Sequence, residues 1–134
     1  MATVKRFEDL EVWKKARELN KIIYQVSGKG EFAKDFELKK QERKSSGSIM
    51  DNIAEGFERG GRGEFIQFLG ISKGSAGELR SQNHRAFDVN YISNDEFKNI
   101  NTRCIEISQM IQGLMDYLQN SEIKGTKYKK CEQL

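Results

Sequence analysis

The side chains of this sequence best suited to chemistry are a run of cations: Lys39, Lys40, Arg43 and Lys44, followed by Arg59 and Arg62 in Arg59-Gly60-Gly61-Arg62-Gly63. Clustered cations attract phosphate through charge and counterion release, with no need of a particular base. The same run, flanked by Glu37 and Glu42, also has the composition of a solvated helix face. The Arg-Gly-Gly stretch resembles one unit of an RNA-binding RGG tail. Such tails repeat the unit, whereas a single copy between two helical patterns is what a chain reversal needs, with glycine supplying positive φ.

Other reactive types lack partners at the required spacing. Glu55, Glu58 and Glu64 lie close in sequence, but carboxylate metal sites in helical bundles use paired Glu-x-x-His motifs. His84 is the only histidine, Ser81 stands three residues before it, and Asp88, one turn on, is the nearest carboxylate on its face. Cys104 falls on an apolar helical spacing and Cys131 in a polar tail, a pair with neither metal-ligand nor disulfide-framework spacing. Two reduced thiols are expected. With no Walker loop, zinc pattern or nucleophile arrangement, the sequence predicts a non-enzyme with no catalytic residue, metal or cofactor.

The elements that position these residues are helices. The 134 residues include no proline, 32% are charged, and the net charge is +3. That composition suits amphipathic helices in one domain. Val12, Ala16, Leu19, Ile23 and Val26 form a heptad seam from an N-cap expected at Asp9, with Trp13 as core and Gly28 and Gly30 closing the helix. Phe32 and Phe36 are expected to pin the next connection over the end of the fold.

A second helix carries Leu38, Ser45, Ile49, Asn52 and Ile53 inward and the four cations outward, with Gly47 costing roughly 1 kcal/mol of helix propensity relative to alanine. After the glycine turn, Phe65, Leu69, Ser72, Ala76, Leu79, Asn83 and Ala86 define a third helix, in which Gly70, Gly74 and Gly77 would let a neighbour approach closely. Ser93-Asn94-Asp95-Glu96 is a capping box, and Phe97, Ile100, Cys104, Ile107, Ile111, Leu114 and Leu118 follow it in strict three-four alternation. The expectation is an all-α, antiparallel up-down-up-down four-helix bundle over 1–120, with helices at about 9–27, 37–56, 64–90 and 94–119 and a flexible basic tail over 121–134. No run approaches the roughly 18 apolar residues of a membrane span, so a cytoplasmic, soluble protein is expected, without a membrane partner.

Several of these stretches together resemble a bacterial family of four-helix bundle proteins, some encoded in intervening sequences of large-subunit ribosomal RNA genes. They are Phe7-Glu8-Asp9-Leu10-Glu11-Val12-Trp13, Asn52-Ile53-Ala54-Glu55-Gly56-Phe57, Glu64-Phe65-Ile66, Glu78-Leu79 and Tyr91-Ile92-Ser93. The resemblance implies a ring-like homopentamer, with Asn52, Ala54, Glu55, Gly56, Phe57, Phe65 and Leu79 as structural motif positions. It also implies similarity to the accessory protein of diversity-generating retroelements, which partners a reverse transcriptase and binds nucleic acid through a basic surface. Carried onto this chain, Arg43 and Lys44 become candidate phosphate contacts, with RNA or a reverse-transcriptase-like protein as partner. The chain departs from the family pattern at Glu42, where an apolar residue is usual, at Ser45-Ser46-Gly47, and at Asn83-His84-Arg85. The functional expectation is a non-catalytic oligomeric binding protein that recognises RNA or an RNA-protein complex. The alternative is a structural adaptor that docks a protein and never touches nucleic acid.

Overall fold

The computed structural model describes residues 4–120; Cys131 and the expected tail lie outside the described residues. Four helices follow one another: α1 (Glu11–Ser27), α2 (Phe36–Glu58), α3 (Arg62–Asp88) and α4 (Asn94–Gln119), with 3-10 turns at Phe7–Asp9 and Phe32–Lys34. Among the described residues there is no strand. α1 and α3 each pack on both α2 and α4.

Cross-helix hydrogen bonds and ion pairs fix the directions. Between α2 and α3, Ser48 Oγ lies 2.8 Å from Ser75 Oγ, Ser72 Oγ donates to Ile49 O, and Arg85 Nη1 donates to Gln41 Oε1. As one number rises the other falls, so the helices run antiparallel. The same holds for α1 and α2 (Asn20 with Ser46, Ser27 with Arg43), for α3 and α4 (Lys73 with Gln112, Asn83 with Phe97), and for α1 and α4 (Lys15 with Glu106, and Lys29 just past the end of α1 with Glu96). The molecule is an up-down-up-down four-helix bundle.

Its core is built from the seams that the heptad spacing picks out. Val12, Ala16, Leu19, Ile23 and Val26 are buried on α1, and Ile100, Cys104, Ile107, Ile111, Leu114 and Leu118 on α4. On α3 every expected inward residue from Phe65 to Ala86 is buried, including Ser72 and Asn83. Asn83 donates to Phe97 O, which gives this interior amide a partner across the α3–α4 seam. Trp13 is half-buried against the core and meets Phe7 edge-on. The capping box forms as expected, with Ser93 Oγ accepting from Glu96 N and Glu96 Oε1 accepting from Ser93 N.

The helix ends differ from expectation where side chains outside the seams decide them. Asp9 is not the N-cap of α1: it belongs to the preceding 3-10 turn and pairs with Arg6, while Leu10 stands at the cap position and is buried. Burying Leu10 fixes the entry of the chain better than a solvated carboxylate would. α2 begins at Phe36 because Asp35 caps it, accepting from Leu38 N at 3.0 Å. That N–H, with the Tyr91 hydroxyl, holds the Asp35 carboxyl below its ordinary range. Phe32 plugs the bundle end and is fully buried, whereas Phe36 is 73% exposed and pins nothing. The reversal after α2 takes only Arg59, Gly60 and Gly61; Gly60 has φ +81°, and Arg62 and Gly63 already belong to α3. α3 ends at Asp88 rather than near residue 90, where Asn90 turns the chain with φ 64°.

Among the described residues, the close approach expected along Gly70, Gly74 and Gly77 is absent. A Cβ at Gly74 or Gly77 would meet nothing within 4 Å, and one at Gly70 only Met115 at 3.8 Å. Gly56 is the glycine that packing requires, since a Cβ there would lie 2.6 Å from Phe68 Cβ. Phe57, next in sequence, is buried edge-on against Phe65, and Leu79 is fully buried. Ala54 is half-buried. Asn52 is half-buried rather than interior, and donates to Ser48 O and Ser48 Oγ on its own helix.

Candidate nucleic-acid interface

The six candidate cations lie in two groups near opposite ends of α2. Arg43 and Arg59 are sixteen residues apart, about 24 Å along a helix, so the structure does not join them in one patch. At the first group, Lys40 and Lys44 are exposed and neither makes an ion pair among the described residues. Lys39 is half-buried, donates to Ala33 O at 3.0 Å and lies over the Phe36 ring.

Arg43 is not on a solvated face. Its Nε donates to Ser27 Oγ at 2.9 Å, its Nη2 reaches Tyr24 O at 3.4 Å, and its guanidinium lies 4.3 Å from the Tyr24 ring centroid. Ser27 is the last residue of α1 and donates to Ile23 O. Arg43 therefore caps the carboxyl end of α1, where a cation meets unsatisfied carbonyls and the negative end of the helix dipole. It is a fixed wall of the cationic patch rather than a free arm. Tyr24 and Ser27 complete this arrangement, and their spacing on α1 carries no sign of it.

At the other end, Arg59 is drawn into its surroundings. It pairs with Glu55 at 2.9 Å and Glu64 at 3.7 Å, and lies over the Phe68 ring. Arg62 is half-buried in the first turn of α3. With Glu55, Glu58 and Glu64 around it, this end offers phosphate little net positive charge.

Along α2 runs a groove of about 480 Å³ lined by Tyr24, Arg43 and Lys44 at one end and by Asp51, Asn52 and Glu55 at the other, with Gly47 and Ser48 between. It is cationic in one half and anionic in the other.

Glu42 is the largest departure from expectation. It is 1% exposed, in the interior rather than among solvated charges, and its Oε2 has no hydrogen-bond partner among the described residues. Its place follows from the seam: Leu38, Glu42, Ser45, Ile49 and Ile53 are spaced by four and three and are all buried. The bonds Gln41–Arg85 and Ser48–Ser75 bracket it, so it faces the turn of α3 that carries Gln82. Burial pushes its carboxyl up to about 7, with the Arg85 guanidinium offsetting part of that rise. Cys104 is a buried free thiol, pushed up to about 12 by burial, which withholds the thiolate that nucleophilic or metal chemistry needs. His84 is exposed and edge-on to Phe97. Among the described residues no group of three or more His, Cys, Asp or Glu side chains is arranged to hold a metal ion, and no helix is long and apolar enough to cross a membrane.

Among the described residues the chain is all-helical, a four-helix bundle. The 23S rRNA-intervening sequence protein model matches residues 8–113, and the chain belongs to that family. It is also similar to a crystal structure from Bacteroides thetaiotaomicron, described as a protein of unknown function from the S23 ribosomal protein family. The two are 26% identical with a TM-score of 0.71, over 78% of this chain and 97% of that one. No curated protein matches the chain.

Proposed function

We propose that this protein is a non-catalytic, homo-oligomeric module of the cytoplasm that binds RNA, alone or within an RNA-protein complex, through phosphates at the amino-terminal half of α2. The observation that carries the reading is the pair Lys40 and Lys44, exposed and without ion-pair partners among the described residues, beside a guanidinium held in place by α1. Point charges on flexible stems suit sequence-independent phosphate contact. The family's connection with ribosomal RNA intervening sequences supports RNA as the polymer. Two lysines per chain make a weak site, and a ring of five, as the resemblance implies, would raise it to useful avidity.

Fluorescence anisotropy with a labelled RNA tests the reading. Binding should weaken steeply with salt, and Lys40→Ala with Lys44→Ala should weaken all sequences alike and reduce the log-log salt slope by about 2. Absent or salt-insensitive binding removes it. The anionic half of the groove, with Asp51 and Glu55, favours the second reading, a protein adaptor. A partner retained after nuclease treatment of the lysate would support that alternative.

A further inference from the structure

The charges on the open face of α2 are arranged about its centre. Lys40, Lys44, Gly47, Asp51 and Glu55 lie within a narrow stripe at helical spacing, and all but the half-buried Gly47 are exposed. Lys44 and Asp51 are equidistant from the midpoint between residues 47 and 48, and so are Lys40 and Glu55. A copy of the same helix laid antiparallel about that midpoint sets each lysine opposite a carboxylate and each carboxylate opposite a lysine.

Gly47 stands at the crossing. A Cβ there would meet nothing within 4 Å, so no packing among the described residues requires glycine, and its φ is not positive. A glycine in a helix interior costs roughly 1 kcal/mol relative to alanine. Bare backbone at the centre of the groove would let a second helix approach. Tyr24, 49% exposed on the rim, adds aromatic surface.

We infer that the α2 groove is a self-complementary contact between two copies of this chain, crossing antiparallel at Gly47 and held by Lys44–Asp51 and Lys40–Glu55 pairs in both directions. Glu55 already pairs with Arg59, so Lys44–Asp51 is the dominant pair. The contact is isologous: it closes at two copies, or joins one ring to another, and cannot itself generate a five-fold ring. Solvent-exposed ion pairs contribute little each and are screened by salt, so the association is weak and ionic. It is independent of the RNA reading, although the same two lysines serve both, so RNA and self-pairing would compete.

The test uses nuclease-treated full-length protein free of RNA, so its outcome is separate from any RNA affinity. In sedimentation velocity at low salt the wild type should pair, and about 0.5 M salt should separate the pairs. Lys40→Glu with Lys44→Asp makes the stripe wholly acidic, and Asp51→Lys with Glu55→Lys makes it wholly basic. Each double variant alone should lose pairing at least tenfold, and a one-to-one mixture of the two should restore it. For the contact itself, Gly47→Cys in a Cys131→Ser background should oxidise readily to a covalent dimer, while Gln109→Cys on the exposed side of α4 should not. Failure of the mixed variants to pair, or equal crosslinking at both positions, overturns the inference.

Discussion

α4 and α2 contribute to the same core by different means. α4 has a capping box and a continuous apolar seam; its polar residues face outward or lie half-buried. α2 places Glu42, Ser45 and Ser46 in the interior, carries Gly47 at mid-length, and exposes a stripe of opposed charges. One helix is specified for stability. The other gives some of it up, in the interior at Glu42, Ser45 and Ser46 and in the groove at Gly47.

The most direct way to break the comparison is on the α4 side. Leu114 is 2% exposed, and Leu114→Ala should lower unfolding free energy by roughly 2 to 5 kcal/mol in urea titration, because lost burial and a residual cavity add. A loss below about 1 kcal/mol would mean that the α4 seam is not the stabilising element.

On α2 the next effect has the opposite sign. Burial pushes the Glu42 carboxyl up to about 7 in the fold, against 4.5 for the free group. Below pH about 4.5 it is protonated in both states and burial costs no ionisation. As pH rises the unfolded chain loses this proton first, so stability declines, levelling off above pH about 7 at a loss of roughly 3 kcal/mol. Glu42→Gln should therefore be roughly 1 to 3 kcal/mol more stable than the wild type at pH 8, with the gap closing towards pH 4.5. Taking the difference between the two proteins removes the acid-side contributions of Asp35 and Glu96, whose carboxyls lie below their ordinary range. A pH-independent difference would place Glu42 in contact with water.

The smallest effect sharpens the contrast. Gly47→Ala enters open space and should raise stability by about 0.5 to 1 kcal/mol through helix propensity. Measured by thermal unfolding at low concentration, a loss instead would mean that α2 needs glycine for its own packing.

What the sequence made legible tracks the same divide. Wherever apolar spacing and burial coincide, as from Val12 to Val26 and from Ile100 to Leu118, the helix and its inward face could be read directly. So could the capping box, because both of its partners are local. Glu42 occupies the rung between Leu38 and Ser45 on the α2 seam, yet its residue type argued for solvent. Spacing was the better guide. Arg43 could not be read, since its role depends on Tyr24 and Ser27 of another helix. Neither could the pairing of Arg59, which needs Glu64 to return across the turn. Charges report their partners only after the chain is folded, whereas apolar seams report themselves.

The antiparallel order has a kinetic consequence. α1–α2, α2–α3 and α3–α4 are each closed by a short connection, so three of the four seams need little loop-closure entropy. The α1–α4 seam, marked by Lys15–Glu106 and Lys29–Glu96, joins segments separated by most of the chain. Docking α1 against α4 is then the long-range event of an otherwise local, fast-folding topology. Without it the chain would keep the α1–α2, α2–α3 and α3–α4 seams and leave uncovered the sides of α1 and α4 that face each other.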